Sequence, residues 1–172
     1  MTSSSLTSIA HSVRDHADGW GLLALRLFVA QEFVLAGWMK LSAGLTAPEW
    51  FAGLDFPPLL AWLGPDLKWA AAGFGEVALG LAVALGLASR LAALGLLFIT
   101  WVAVYTVHFD LGWAGWNQIE SDAGQGFKVP LMLALMLLTL LLQGAGRLSL
   151  QAWLSSRWMR RRDKHSAIQT HP

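Results

Sequence analysis

The sequence predicts an all-α integral membrane protein: a four-helix bundle with a tryptophan-rich segment at its outer interface and a C-terminal amphipathic surface helix. Three observations carry that prediction. Of 172 residues, 55% are hydrophobic and 13% charged, with mean hydropathy +0.50. So few charges cannot cover a water-facing surface. Long apolar runs approach the ~20 residues that a spanning helix needs, and the basic residues gather at one end of them. A soluble enzyme and a disordered chain are disfavoured, as is a nucleic-acid binder, since the formal net charge is only +1. The absence of cysteine excludes disulfides, thiolate metal ligands and redox thiols.

The spans are expected at roughly Trp20 to Leu41, Trp69 to Ala88, Leu91 to Phe109 and Val129 to Gln143. Together they form a membrane domain over residues 1–154, followed by a basic tail over 155–172. Only Ser89 and Arg90 separate the second span from the third, which reads as a tight helical hairpin. The polar lead before Trp20 and the charges Arg26 and Glu32 within the first run are unlike a signal peptide, so the first helix is expected to stay uncleaved.

With four spans, both termini and the Arg90 turn share one side of the membrane. That side holds Arg14, Arg90, Arg147, Arg157, Arg160, Arg161, Arg162 and Lys164. The other holds Lys40, Lys68 and Lys128 with Glu49, Asp55, Asp66, Asp110, Glu120 and Asp122. The arginine bias predicts the bacterial inner (cytoplasmic) membrane with both termini cytoplasmic. From Arg147 to about Lys164, Leu148, Leu150, Trp153, Leu154, Trp158 and Met159 share one broad helical face. Such a segment lies along an anionic leaflet as a surface anchor, or else docks a protein.

The two outer loops carry Trp50 and Trp62, and Trp113 and Trp116. An aromatic belt at headgroup level explains them; a lid over an apolar ligand site is the other reading. Ala47 to Trp62 is too apolar for a solvated loop and is broken by Pro57-Pro58, which predicts a short helix in the interface.

Ionisable side chains within the bilayer are costly and usually have a partner or a task. Arg26, Glu32 and Glu76 are the clear cases. At 1.5 Å per residue, Glu32 lies roughly 13 Å and Glu76 roughly 10 Å below the expected outer ends of their helices. Glu76, Gly80, Ala84 and Ala88 form a small-residue stripe that aims Glu76 inward. Tyr105 and His108 end the third span at similar height, three residues apart. The expectation is a pocket in which Glu32 and Glu76 are the catalytic proton carriers, with Arg26, Lys40, Tyr105 and His108 as ligand-binding groups. A quinone headgroup suits it, because its reduction needs a proton carrier near each carbonyl oxygen. The competing reading is that a glutamate bonded to backbone, or paired with Arg26 or Lys40, only fixes helix packing. Arg26 also has the options of snorkelling, binding a lipid phosphate or holding a loop carbonyl. No spacing suggests a metal site, and His108, as the one histidine in the apolar body, cannot ligate a haem from both sides.

Arg26 with Gly37-Trp38-Met39-Lys40 resembles the opening helix of the DoxX family. Gly75-Glu76-Val77-Ala78-Leu79-Gly80, followed by Gly86-Leu87-Ala88-Ser89-Arg90, resembles its second helix and turn. Gly144-Ala145-Gly146-Arg147-Leu148-Ser149-Leu150 is similar to its closing motif, and the order and spacing extend from roughly Leu22 to Leu154. The resemblance implies a four-helix membrane protein linked to quinone-dependent redox chemistry, through the DoxD/DoxX parts of thiosulfate:quinone oxidoreductase. It implies thiosulfate as donor and a membrane quinone as acceptor. The function expected is therefore a membrane subunit that works with a redox partner protein, in contact with membrane lipids. A non-catalytic subunit or assembly factor is the alternative, and a homo-oligomer acting as a small-molecule permease is a third.

Overall fold

The computed structural model describes the backbone of residues 3–158, with side chains from residue 19 onward. Its α-helices are α1 Ser3–Ser42, α2 Glu49–Ala52, α3 Pro65–Leu85, α4 Ser89–Thr106 and α5 Lys128–Gln143, and a further helical stretch covers 150–158. Among the described residues three stretches are long and apolar enough to cross a bilayer: Gly19–Ser42, Pro65–Leu85 and Ser89–Thr106. The fourth expected span, α5, has 16 residues. At 1.5 Å per residue it covers about 24 Å, short of the ~30 Å hydrocarbon layer. It packs beside α4 and more lightly against α1.

Local chemistry sets the helix ends. α1 begins at Ser3 rather than near Trp20, since no proline interrupts residues 3–42 and extending a nucleated helix costs little. α3 starts about a turn earlier than expected, at Pro65, where a proline in the first turn loses no hydrogen bond. It stops at Gly86, whose φ of 69° is left-handed. There Leu87 N–H donates to Ala82 O (2.9 Å) and Gly86 N–H to Val83 O (3.0 Å), a Schellman closure.

The core is built from Val29 and Phe33 of α1, Val83 of α3, Ala92, Ala93 and Leu96 of α4, and Leu137 and Leu140 of α5. Leucine, phenylalanine and tryptophan side chains cover much of the outward surface, as lipid-facing helices require. α1 and α3 form the closest pair: a Cβ on Gly37 would stand 2.6 Å from Gly73 O, and one on Gly80 2.9 Å from Val34 Cγ2.

The α1–α3 connection holds α2 and a 3-10 turn at Pro58–Leu60, so the expected interfacial helix is two short pieces, the second opened by the proline pair. The α4–α5 connection holds a 3-10 segment, Gly112–Asn117, and a two-residue antiparallel ladder of Glu120–Ser121 with Gly124–Gln125. No alternating pattern announced that ladder. It is held by contact: the Asp110 carboxylate accepts from Gln125 N–H at 3.0 Å, and Ser121 Oγ from Ala123 N–H at 3.3 Å. In the helical stretch over 150–158, the Arg157 guanidinium lies 3.9 Å from the Trp153 ring centroid. Met159, Arg160, Arg161, Arg162 and Lys164 lie outside the described residues, as does the Arg14 side chain.

Candidate functional site

At the end of the bundle formed by the last turn of α1, the start of α3 and the end of α4, a cavity of about 490 Å³ opens. Its walls are apolar: Phe51 and Phe56 from the α1–α3 connection, Leu79 from α3, and Phe98, Ile99 and Val102 from α4. Such a volume, with a few polar groups on apolar walls, is typical of a small-molecule site. The polar groups on this lining are Lys40, Glu76, Lys68, Thr106 and His108.

The sequence makes that arrangement in steps. Gly37 and Gly73 let the α1 and α3 backbones meet, since any larger residue there would collide with the facing helix. The close approach brings Glu76, buried on α3, up to the α1 residue one turn past Gly37. That residue is Lys40, whose Nζ donates to Glu76 Oε2 at 2.8 Å and Oε1 at 3.0 Å. Nζ also lies 3.4 Å from Ala36 O, on its own helix. The pair is asymmetric in exposure, 23% for the lysine side chain and 8% for the glutamate. The ammonium therefore faces the cavity more openly.

The connection after α1 is fastened over this end. Trp69 Nε1 donates to Gly44 O at 3.0 Å, and Ala47 N–H donates to Asp66 Oδ1 at 2.8 Å. Phe51 meets Trp69 and Phe56 edge-on at 5.0 and 5.2 Å between centroids. Lys68 Nζ stands 3.9 Å from the Phe56 centroid, a cation–π contact that keeps a second ammonium in the wall.

His108 follows the end of α4, its backbone N–H still donating to Ala103 O and Val104 O. Its Nδ1 is buried without a hydrogen-bond partner, which is rare enough in folded proteins to ask for a cause. Burial pushes the imidazole pKa below its ordinary value, and the nearby Asp110 charge offsets this in part.

Of the residues expected to form the site, the fold brings Lys40, Glu76 and His108 into one lining and leaves Glu32, Tyr105 and Arg26 outside it. Glu32 is half-buried on α1 and makes no hydrogen bond or ion pair among the described residues. The α1 face against α3 runs through Ala30, Val34, Gly37 and Leu41. Glu32, two residues from Ala30, is turned about 200° round the helix from that line. It does not meet Glu76, which takes Lys40 instead. Tyr105 is 50% exposed and meets Trp101 with tilted rings, 6.2 Å between centroids, along the outer face of α4. Trp50 lines the cavity, whereas Trp62, Trp113 and Trp116 do not.

Arg26 lies toward the other end of the apolar stretch Gly19–Ser42 of α1 and is 2% exposed. Its Nε donates to Val83 O (2.9 Å), Nη2 to Ala84 O (2.6 Å), and Nη1 to Ala145 O (2.7 Å) and Leu148 O (2.8 Å). It thus caps the last carbonyls of α3 and ties them to the segment after α5. Lys68, Phe51 and Phe56 are site residues that the sequence did not single out; for the two phenylalanines the signal was present in the apolar run Ala47 to Trp62. Among the described residues no group of three potential ligands gathers for a metal ion.

The family model for DoxX matches residues 21–109, which include α3 and α4 entire and the apolar part of α1. A protein of Haemophilus influenzae, described as uncharacterized, is 34% identical over 135 residues, covering 77% of this chain and 82% of its own length. No solved structure matches the chain.

Proposed function

The chain belongs to the DoxX family, and from that premise we propose that it is a quinone-binding membrane subunit whose electrons come from a partner protein. One observation carries the reading: an apolar cavity of about 490 Å³ whose polar groups include a Lys–Glu pair and an imidazole nitrogen with no partner. A quinone is an apolar ring with two carbonyl oxygens, and when bound it supplies an acceptor for two electrons and two protons. In this reading Lys40 and His108 hold the two oxygens, the first as a cationic donor and the second through Nδ1. Glu76 fixes the ammonium and handles the proton. The aromatic cluster of Phe51, Phe56 and Trp50 keeps water out and packs on the ring. The partner carries the oxidation, of a sulfur compound by the family resemblance. The arginine bias supports the cytoplasmic membrane of a bacterium with both termini inside.

A second reading, a non-catalytic subunit or assembly factor, is favoured by the way Lys40 and Glu76 satisfy one another. One preparation separates the two. The full chain is purified with its native lipid, and the extract is assayed for quinone. The proposal expects quinone in stoichiometric amount, lost from Glu76→Gln and His108→Ala variants that keep the wild-type gel-filtration profile. A quinone-free preparation holding a protein partner at constant stoichiometry overturns it in favour of the second reading. For the topology, a reporter active only outside the cytoplasm should be silent at Pro172 and active within the Leu111 to Gly126 loop.

A further inference from the structure

A second cavity, of about 570 Å³, lies at the opposite end of the bundle, between the start of α4 and the segment that follows α5. Its lining includes Ser89, Arg90, Gly144, Gly146 and Ser149 and, among the described residues, no acidic side chain. We propose that it binds a phosphate-class anion, the phosphodiester of a membrane lipid headgroup or free phosphate.

Several independent features converge on an anion. α4 opens here without a side-chain cap: its N-cap position is Ala88, held at φ 44° and ψ 38°. The first-turn N–H groups of a helix have no partner within the helix, and over the 18 residues of α4 their dipoles add to a positive end that favours negative charge. Ser89, the first residue of that turn, is 2% exposed, and its hydroxyl has no hydrogen-bond partner. A buried hydroxyl without a partner is an unmet donor in the wall of this cavity. Arg90 is the single charged side chain on the lining among the described residues. Among the described residues one hydrogen bond holds its guanidinium, Nη2 donating to Leu142 O at 3.3 Å, so most of its donors remain available for bidentate recognition.

Arg26 contributes from behind. By holding Ala145 O at 2.7 Å it fixes a planar trans peptide whose far side is the Gly146 N–H, which must point away from the guanidinium. The stretch from Ala123 to Arg162 contains no aspartate or glutamate. Nothing in that stretch would repel the ligand.

The test uses full-length protein in a phosphorus-free detergent. Inorganic phosphate is titrated by calorimetry, and phosphatidylglycerol in mixed micelles is followed by native mass spectrometry. Saturable binding of phosphate assigns a soluble anion, and saturable binding of the lipid alone assigns a headgroup. In either case Arg90→Gln and Ser89→Ala should each weaken binding about tenfold or more, the loss expected for a hydrogen bond to a charged group. Ser89→Ala should leave the thermal midpoint unchanged or raised, because it removes an unmet donor rather than a bond. A purely structural serine would not lower affinity in this way. No saturable binding of either probe, or unchanged affinity in either folded variant, overturns the proposal. Should Arg90→Gln fail to fold, Ser89→Ala decides alone.

Discussion

Among its described side chains α1 carries two inward-facing cations, and the protein uses them in opposite ways. Arg26 and Lys40 are 14 positions apart, about 21 Å along the helix and nearly in line on its surface. At one end the guanidinium is sealed and bonded to four main-chain carbonyls from two segments. At the other the ammonium is part-exposed beside a cavity and faces a single carboxylate. Backbone carbonyls cannot ionise or rotate away, so the Arg26 end is a fixed joint. A lysine–carboxylate pair can exchange partners with a ligand of suitable chemistry, so the Lys40 end can be a site. Burial alone does not distinguish fastener from function; the nature of the partner does.

The largest effect should come from breaking the joint. Arg26→Leu leaves the carbonyls of Val83, Ala84, Ala145 and Leu148 without their donor, and roughly 3–5 kcal/mol of stability should be lost. Arg26→Lys should recover only part of it, since one point charge cannot span both segments. Thermal unfolding in detergent measures both. An Arg26→Lys protein as stable as the wild type would dissolve the contrast drawn between the two cations.

Next is the helix contact that makes the Lys40–Glu76 pair possible. Gly37→Val places a Cβ against Gly73 O and should cost about 1–3 kcal/mol through overpacking, occasionally more. A cross-link between cysteines introduced on α1 and α3 beside this contact should form more slowly as the helices part. Unchanged cross-linking with unchanged stability would mean that the approach is not tight.

The pair itself should respond more mildly than Arg26. Glu76→Gln leaves Lys40 without its counter-ion, at a cost of roughly 1–3 kcal/mol, below the figure for a fully buried pair because Lys40 is part-exposed. Removing both charges in Lys40→Met/Glu76→Gln should return most of that loss while quinone retention stays absent. If the double variant still retains quinone, the second reading of the protein gains.

The smallest effect is a pH dependence from His108. Its folded-state pKa is below the ordinary value of 6.5, chiefly through burial. As pH falls from about 6.5 through the folded pKa, the unfolded chain binds a proton that the folded chain resists, so stability drops over that window and levels off below it. The thermal midpoint of the wild type should fall more steeply than that of His108→Gln as pH is lowered from neutral. Parallel curves would show that the imidazole environment is not strained.

The apolar spans, the hairpin at Ser89–Arg90, the apolar run Ala47 to Trp62 and the inward aim of Glu76 could all be read from the chain alone. Hydropathy, the placing of glycine and proline, and helical periodicity act over a few residues, and every segment carries its own record of them. The start of α5 within one residue of Val129 and its end at Gln143 were legible as well; the hairpin of Glu120 to Gln125 was not, because it rests on the Asp110 carboxylate from outside the segment.

The partner of Glu76 belongs wholly to the tertiary structure. Equal depths below two expected helix ends suggested Glu32, but α3 starts a turn early and overshoots α1, so that Gly73 meets Leu41 and Glu76 sits beside Gly37. The rotation of α1 then turns Glu32 away and offers Lys40. Axial register and azimuth between two helices depend on which small residues let the backbones touch, and that is a property of the pair of surfaces rather than of either sequence segment.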